Sequence, residues 1–190
     1  MQTPSHLLLA GALSVPLRRR VSVSLPAVLV GSVLPDIPFT LLTIWGEIYY
    51  RWFAPLPQPG SIMEYLHFTL FFTDPLWIVA HNFFHSLLIA SALLLVGLWG
   101  MRRRAGWGAW LFWMAASLLL HIIIDLLTHT SDGPLIWFPV NWSYHFASPV
   151  SYWERDAWGS LFIVGEYALD LVLLIYLARK FWPRGGARRA

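Results

Sequence analysis

No cysteine occurs in the 190 residues. That excludes disulfides, thiolate metal ligands and cysteine nucleophiles, so any metal must be held by histidine, carboxylate or other oxygen ligands. Charge is also scarce. Asp, Glu, Lys and Arg make up 12% of the chain, against about a quarter in soluble domains. The chain shows no internal repeat, and its length suits one compact domain rather than two. What is abundant is apolar surface: 57% of residues are hydrophobic and the mean hydropathy is +0.58. A soluble fold of this composition would expose large apolar patches. The sequence therefore describes an integral membrane protein, and many of its twelve Trp lie near the ends of apolar runs, as in an interfacial aromatic belt.

The basic residues do not form a nucleic-acid surface. They fall in short clusters beside apolar runs: Arg18 to Arg20, Arg102 to Arg104, and Arg179 with Lys180, Arg184, Arg188 and Arg189. No nucleic-acid partner is expected. A cleavable signal carries its positive charge before the apolar stretch, whereas here the first arginines follow it. Four stretches, about 21–49, 76–101, 105–127 and 159–182, reach the roughly 20 apolar residues a span requires. Ahead of them, 6–17 is apolar but short, a half-span or interfacial helix folded back at Pro16. With four spans every basic cluster lands on one side, and Lys/Arg excess marks the cytoplasm. The expected fold is all-α: a polytopic transmembrane helical bundle with four full spans plus a short N-terminal apolar helix. Residues 1–182 form a single membrane-embedded domain and 183–190 a disordered basic cytoplasmic tail. The expected location is a bacterial-type inner membrane, multi-pass, with the C-terminus cytoplasmic and lipid as the surrounding partner. The oligomeric state is left open.

Titratable groups inside spans are expensive and mark function. Asp36 lies in the first span between Pro35 and Pro38, His81 and His85 in the second, His121 and Asp125 in the third, and Glu166 and Asp170 in the fourth. The pairs His81/His85 and His121/Asp125 are spaced four apart, on one helix face, as chelating pairs are. Depth is a second test. At 1.5 Å per residue, Asp36, His85 and His121 each lie about 24–26 Å from their cytoplasmic arginines. His81 and Asp125 lie one turn further out. Pro35 and Pro38 disrupt the helix around Asp36, and broken backbone at that depth belongs beside protein or a water-filled cavity. Glu166 and Asp170 lie nearer the cytoplasm. For both a structural role leads: Glu166 could also orient a ligand histidine, and Asp170 pairs with a neighbour or lies near the interface. His129 and Asp132 follow the third span, over the mouth of such a cavity.

Several motifs resemble those of the YdjM-like family, in the same order. They are Thr3-Pro4-Ser5-His6, Leu34-Pro35-Asp36-Ile37, Phe84-His85-Ser86-Leu87, His121-x-x-x-Asp125-x-Leu127-Thr128 and the run from Pro134 to Pro139. Members are inner-membrane proteins described as LexA-binding metal-dependent hydrolases. The resemblance implies a metal set of His6, Asp36, His85, His121 and Asp125. Two positions depart from the family pattern. Pro38 and Phe39 replace an Asp-His pair after Asp36, and the family's first histidine before His85 is absent, with His81 at its arginine position. The function expected is a membrane-embedded metal-dependent hydrolase, with a divalent cation, Zn²⁺ by preference, on His85, His121, Asp125 and Asp36. His6 or His81 would complete or support the shell, and His129 and Asp36 would carry the proton chemistry. The substrate expected is lipid-linked or amphiphilic, a phosphoester among the candidates, near the outer leaflet. The alternatives are a proton or metal-ion transporter and a non-catalytic scaffold stabilised by metal.

Overall fold

A computed structural model describes residues 1–181, and every regular element in them is helical. The tail expected over 183–190, and Trp182 at the end of the fourth predicted span, lie outside the described residues. Helix α1 (Thr3–Leu17) opens with proline in its first turn, where a missing N–H costs nothing. At 15 residues it is about 22 Å long, short of a bilayer core. It does not fold back at Pro16, which sits inside the last turn. A late proline only removes one bond near a fraying end, and the chain turns after Arg20.

The first predicted span is two helices, α2 (Leu25–Val33) and α3 (Asp36–Trp52), bent by 49°. Pro35 and Pro38 explain the break, since neither can donate back to the preceding turn. Next come α4 (Ile62–Glu64), closed by a Ser61/Glu64 capping box, a π-helical turn over Tyr65–Leu70, and α5 (Phe71–Thr73). Asp74 caps α6 (Pro75–His85), accepting from the amides of Leu76 and Trp77. The second predicted span is also broken. α6 ends at His85, and α7 (Leu87–Arg102) leaves at 43°. No proline sits there. Instead Ser86 caps α7 through the Ile89 amide, while its hydroxyl and the Leu87 amide donate to the carbonyls of Phe138 and Ile136. The loop after the third span thus supplies acceptors that a continuous helix would not need. α8 (Gly108–Thr128) is unbroken, and after a 3₁₀ turn (Arg155–Ala157) comes α9 (Gly159–Phe181).

By length and composition α8 and α9 can each cross a membrane, and the bent pairs raise the number to four if each pair is one span. Small residues set the closest contacts. A Cβ on Gly97 would lie 2.5 Å from the Phe112 amide nitrogen, and one on Gly31 would run into the Met114 carbonyl. Backbones pack this closely where side chains are absent. Gly31 therefore draws α2, and Asp36 just beyond it, against α8. Ala90, Leu118 and Ile122 are fully buried at the centre, with Leu34, Phe84 and Leu87 around them. α9 reaches the bundle chiefly through α1 and leaves Leu161, Val164 and Val172 exposed, a face suited to lipid.

Candidate metal centre

Both helix breaks adjoin the residues that matter. Asp36 is the first residue of α3 and His85 the last of α6. They meet His121 and Asp125, one turn apart on α8. One ligand atom from each of the four lies within 4.8 Å of the other three. His85 Nε2 is 3.6 Å from Asp36 Oδ1 and 3.4 Å from Asp125 Oδ2; His121 Nε2 is 3.6 and 2.9 Å from the same oxygens. A tetrahedral ion with bonds of about 2.0–2.1 Å spaces its ligands by about 3.3–3.4 Å, so these separations fit one small cation.

The other atom of each side chain is already committed. His85 Nδ1 donates to the His81 carbonyl (2.5 Å) and His121 Nδ1 to the Ser32 carbonyl (2.8 Å). A carbonyl can only accept, so these Nδ1 atoms carry protons, and in the neutral rings the Nε2 atoms keep their lone pairs. Both Nε2 atoms are buried and have no hydrogen-bond partner. Asp36 Oδ2 accepts from Thr3 Oγ1 (2.5 Å), and Asp125 Oδ1 accepts from His6 Nε2 (2.9 Å) and the Met1 amine (3.0 Å). With both rings neutral, two imidazole lone pairs and two carboxylate oxygens converge, while the Met1 ammonium pairs with Asp125 on its far oxygen, Oδ1. Secondary bonds of this kind orient ligands in metal sites. A divalent cation would also offset the two carboxylates in an apolar bundle, beside the single positive charge that the Met1 amine brings to Asp125.

His6 and His81, grouped with the ligands in the sequence reading, lie beside the quartet rather than in it. His6 stacks on His121 with ring centroids 3.7 Å apart and spends Nε2 on Asp125. His81 stacks on His85 at 4.6 Å, between the aromatic rings of Phe39 and Phe71. Glu166 does not orient a ligand histidine. It accepts from the Gln2 amide (2.7 Å), and Asp170 accepts from Ser5 Oγ (2.7 Å), so α9 uses both acids to hold the start of α1. That in turn seats Thr3 and His6 against the quartet.

A cavity of about 510 Å³ opens over the quartet, with Asp36, His85 and Asp125 in its floor. Its size falls within the roughly 300–1,000 Å³ of small-molecule sites. Phe68, Phe72 and Trp153 line it and are themselves exposed at its edge. His129 lines it too, with Nδ1 donating to the Asp125 carbonyl (3.0 Å), which leaves Nε2 as the lone-pair nitrogen. Burial pushes this imidazole below its ordinary value, so it is neutral near pH 7 and able to accept a proton. Tyr152 packs against His129 at 4.7 Å with the rings tilted by 46°, and is anchored by its amide to the Thr128 carbonyl. Burial, reinforced by the Asp132 and Asp125 carboxylates, pushes its phenol up, and it remains an O–H donor. His67 enters the lining from the π-helical turn, a geometry frequent at functional sites.

Thr3, Tyr152 and His67 escaped the sequence reading as site residues. Thr3 had a signal, being part of the first motif, but its use depends on α1 beginning at the quartet. No curated protein and no solved structure matches this chain. Residues 1–187 match the model of the family described as YdjM inner membrane protein, and the chain belongs to that family.

Proposed function

We propose that the protein is a metal-dependent hydrolase embedded in the inner membrane, acting on a lipid-linked or amphiphilic molecule near the outer leaflet. The observation that carries this reading is the quartet: four ligand atoms converge while the partner atom of each side chain is tied elsewhere. A structural site is closed by protein ligands, whereas a catalytic one keeps a position open. Here three of the quartet, Asp36, His85 and Asp125, form the floor of a cavity large enough for a substrate, which favours catalysis over a purely stabilising role. Phosphoester chemistry is compatible with such a site.

His85, His121, Asp36 and Asp125 would hold a divalent cation, with Zn²⁺ the best fit to a His/Asp set, and when bound it would supply Lewis-acid polarisation and ease deprotonation of water. The chain's own residues do the rest. Thr3 and His6 fix the two carboxylates. His129 accepts the proton on Nε2, and its Nδ1 contact to Asp125 keeps the ring in place. Asp36, whose side chain is 23% exposed, faces the cavity and can accept a hydrogen bond from the entering group. The exposed aromatic edge suits an apolar tail left in the bilayer.

The same reading takes α2–α3, α6–α7, α8 and α9 as four spans, with α1 as a half-span. The arginines at 18–20 and 102–104 and the C-terminus are then cytoplasmic, and the cavity faces outward. Transport is less well supported. Glu166 and Asp170, the acids a route toward the cytoplasm would need, are engaged by Gln2 and Ser5. The test is elemental analysis of purified protein beside His121→Ala and Asp125→Ala, with hydrolysis of ester and phosphoester amphiphiles measured on the same samples. One metal per wild-type chain, lost with activity in both variants, is expected. A wild type without stoichiometric metal refutes the proposal.

A further inference from the structure

A second cavity of about 210 Å³ lies against the first, and the two share Phe71, Phe72, His81 and Ser131 as walls. His81 stands at the partition. Its Nε2 is buried and has no hydrogen-bond partner, an arrangement native proteins seldom leave without a purpose. Its neighbour offers no relief. Asn82 donates to the Ile78 carbonyl and accepts from the Leu135 amide, so both ends of that amide are taken up by the fold. The imidazole cannot turn away either, because Phe39, Phe71 and His85 pack round it with centroids at 5.5, 4.7 and 4.6 Å.

Among the described residues, no Asp, Glu, Lys or Arg lines the side chamber. A charged group entering it would lose hydration without a counter-charge. A hydroxyl suits it better, since it can donate to or accept from a neutral imidazole in either tautomer. Trp142 and Leu135 supply flat apolar wall, and Ser143 and His145 further polar edges. The volume equals about seven waters at ~30 Å³ each, the size of one compact head rather than an acyl chain. We propose that this chamber is a binding subsite for an uncharged, hydroxylated headgroup, a sugar or polyol in class, with His81 as the residue that reads it. The inference rests on the hydrolase reading only for what occupies the main cavity.

Saturation-transfer NMR on nanodisc-embedded protein tests it. The probes are hexyl β-glucoside, hexyl phosphate and hexyltrimethylammonium, with wild type beside His81→Phe, which keeps the ring and removes both nitrogens, and Ser143→Trp, which fills the chamber from its exposed side. Transfer to hexyl β-glucoside is expected to exceed that to either charged probe, and to fall at least fivefold in both variants. Equal transfer to all three probes, or undiminished transfer in Ser143→Trp and in folded His81→Phe, overturns the proposal. Glucoside binding lost in the variants while every hydrolysis assay stays blank supports the subsite and counts only against the hydrolase. Hydrolysis without any glucoside transfer overturns the subsite and leaves the hydrolase standing.

Discussion

Asp125→Asn separates a metal centre from a cluster held together by protons alone. In the wild type, Asp125 Oδ1 accepts from His6 and the Met1 amine, while Oδ2 lies 3.4 and 2.9 Å from the Nε2 atoms of His85 and His121. Asparagine keeps the acceptor on the first side. On the second it places an N–H₂ group where Oδ2 stood, which can donate to the two imidazole lone pairs. The shape is conserved, a ligand is lost and a buried negative charge disappears. Free metal at a thousand times its Kd stabilises a one-site protein by about 4 kcal/mol. At about 2–4 °C per kcal/mol for a chain of this size, the melting temperature of chelator-treated wild type should rise on the order of 10 °C when Zn²⁺ is restored. Asp125→Asn should show no rise and carry no stoichiometric metal by mass spectrometry. Without metal it should melt close to the wild type, because no longer setting a carboxylate against unprotonated rings offsets losing the charge that pairs with the Met1 amine. If wild type and variant respond alike to Zn²⁺, or if the metal-free variant is far less stable than metal-free wild type, the quartet is an ion-pair cluster of two imidazoliums and two carboxylates and the metal reading fails.

Thr3→Val removes the hydroxyl that holds Asp36 Oδ2; metal affinity by competition with a chromogenic chelator should fall about 10–100-fold with little change in the helical circular dichroism. His129 supplies a pH test on metal-free protein. Burial lowers its folded value, so below about pH 6.5 the unfolded chain takes up a proton that the folded one resists. Stability present above that pH is lost as pH falls, and the loss between pH 6.5 and 5 should be shallower in His129→Gln; superimposable curves would remove the buried neutral imidazole. Gly31→Ala drives a methyl into the Met114 carbonyl at the α2–α8 crossing. Overpacking of about 1–3 kcal/mol is expected, with weakened metal binding because Asp36 and His121 are pushed apart, and unchanged affinity would show that α2 does not set their spacing. Reporter fusions after Arg104 and after Phe181 should read cytoplasmic and one at Asn141 external; an external signal at Arg104 contradicts the topology.

The pattern of what sequence reasoning could reach is itself physical. Asp36, His85, His121 and Asp125 stood out because a charge or imidazole in an apolar run has few explanations, and helix rise converts position into depth. The break at Asp36 was legible because proline cannot donate. The break at Ser86 was not: it depends on carbonyls of Ile136 and Phe138, some fifty residues away, reaching into the bundle. His81 and His85 share a helix face, which made both look like ligands. The helix ends at His85, however, and only the second ring reaches the quartet. The partner of Glu166 was out of reach for a related reason. It is the backbone amide of Gln2, and no spacing rule reveals that a short first helix begins at the level of the site.

That short helix also bears on how the centre assembles. Thr3 and His6 on α1 fix the two carboxylates, and α1 is fixed by Glu166 and Asp170 of α9. The four ligand atoms come from α3, α6 and α8, two of those helices ending or beginning at the ligand itself. No single helix presents more than two ligands, so the unassembled chain has no preformed site. Binding energy for a cation would then be assembly energy for the bundle. It would be returned where the structure most lacks other support, at two bent helix pairs whose freed backbone groups must be satisfied within the protein. At the breaks a bound cation would have two tasks at one point, offsetting the Asp36 and Asp125 carboxylates and tying together helix ends that apolar packing holds only along their lengths.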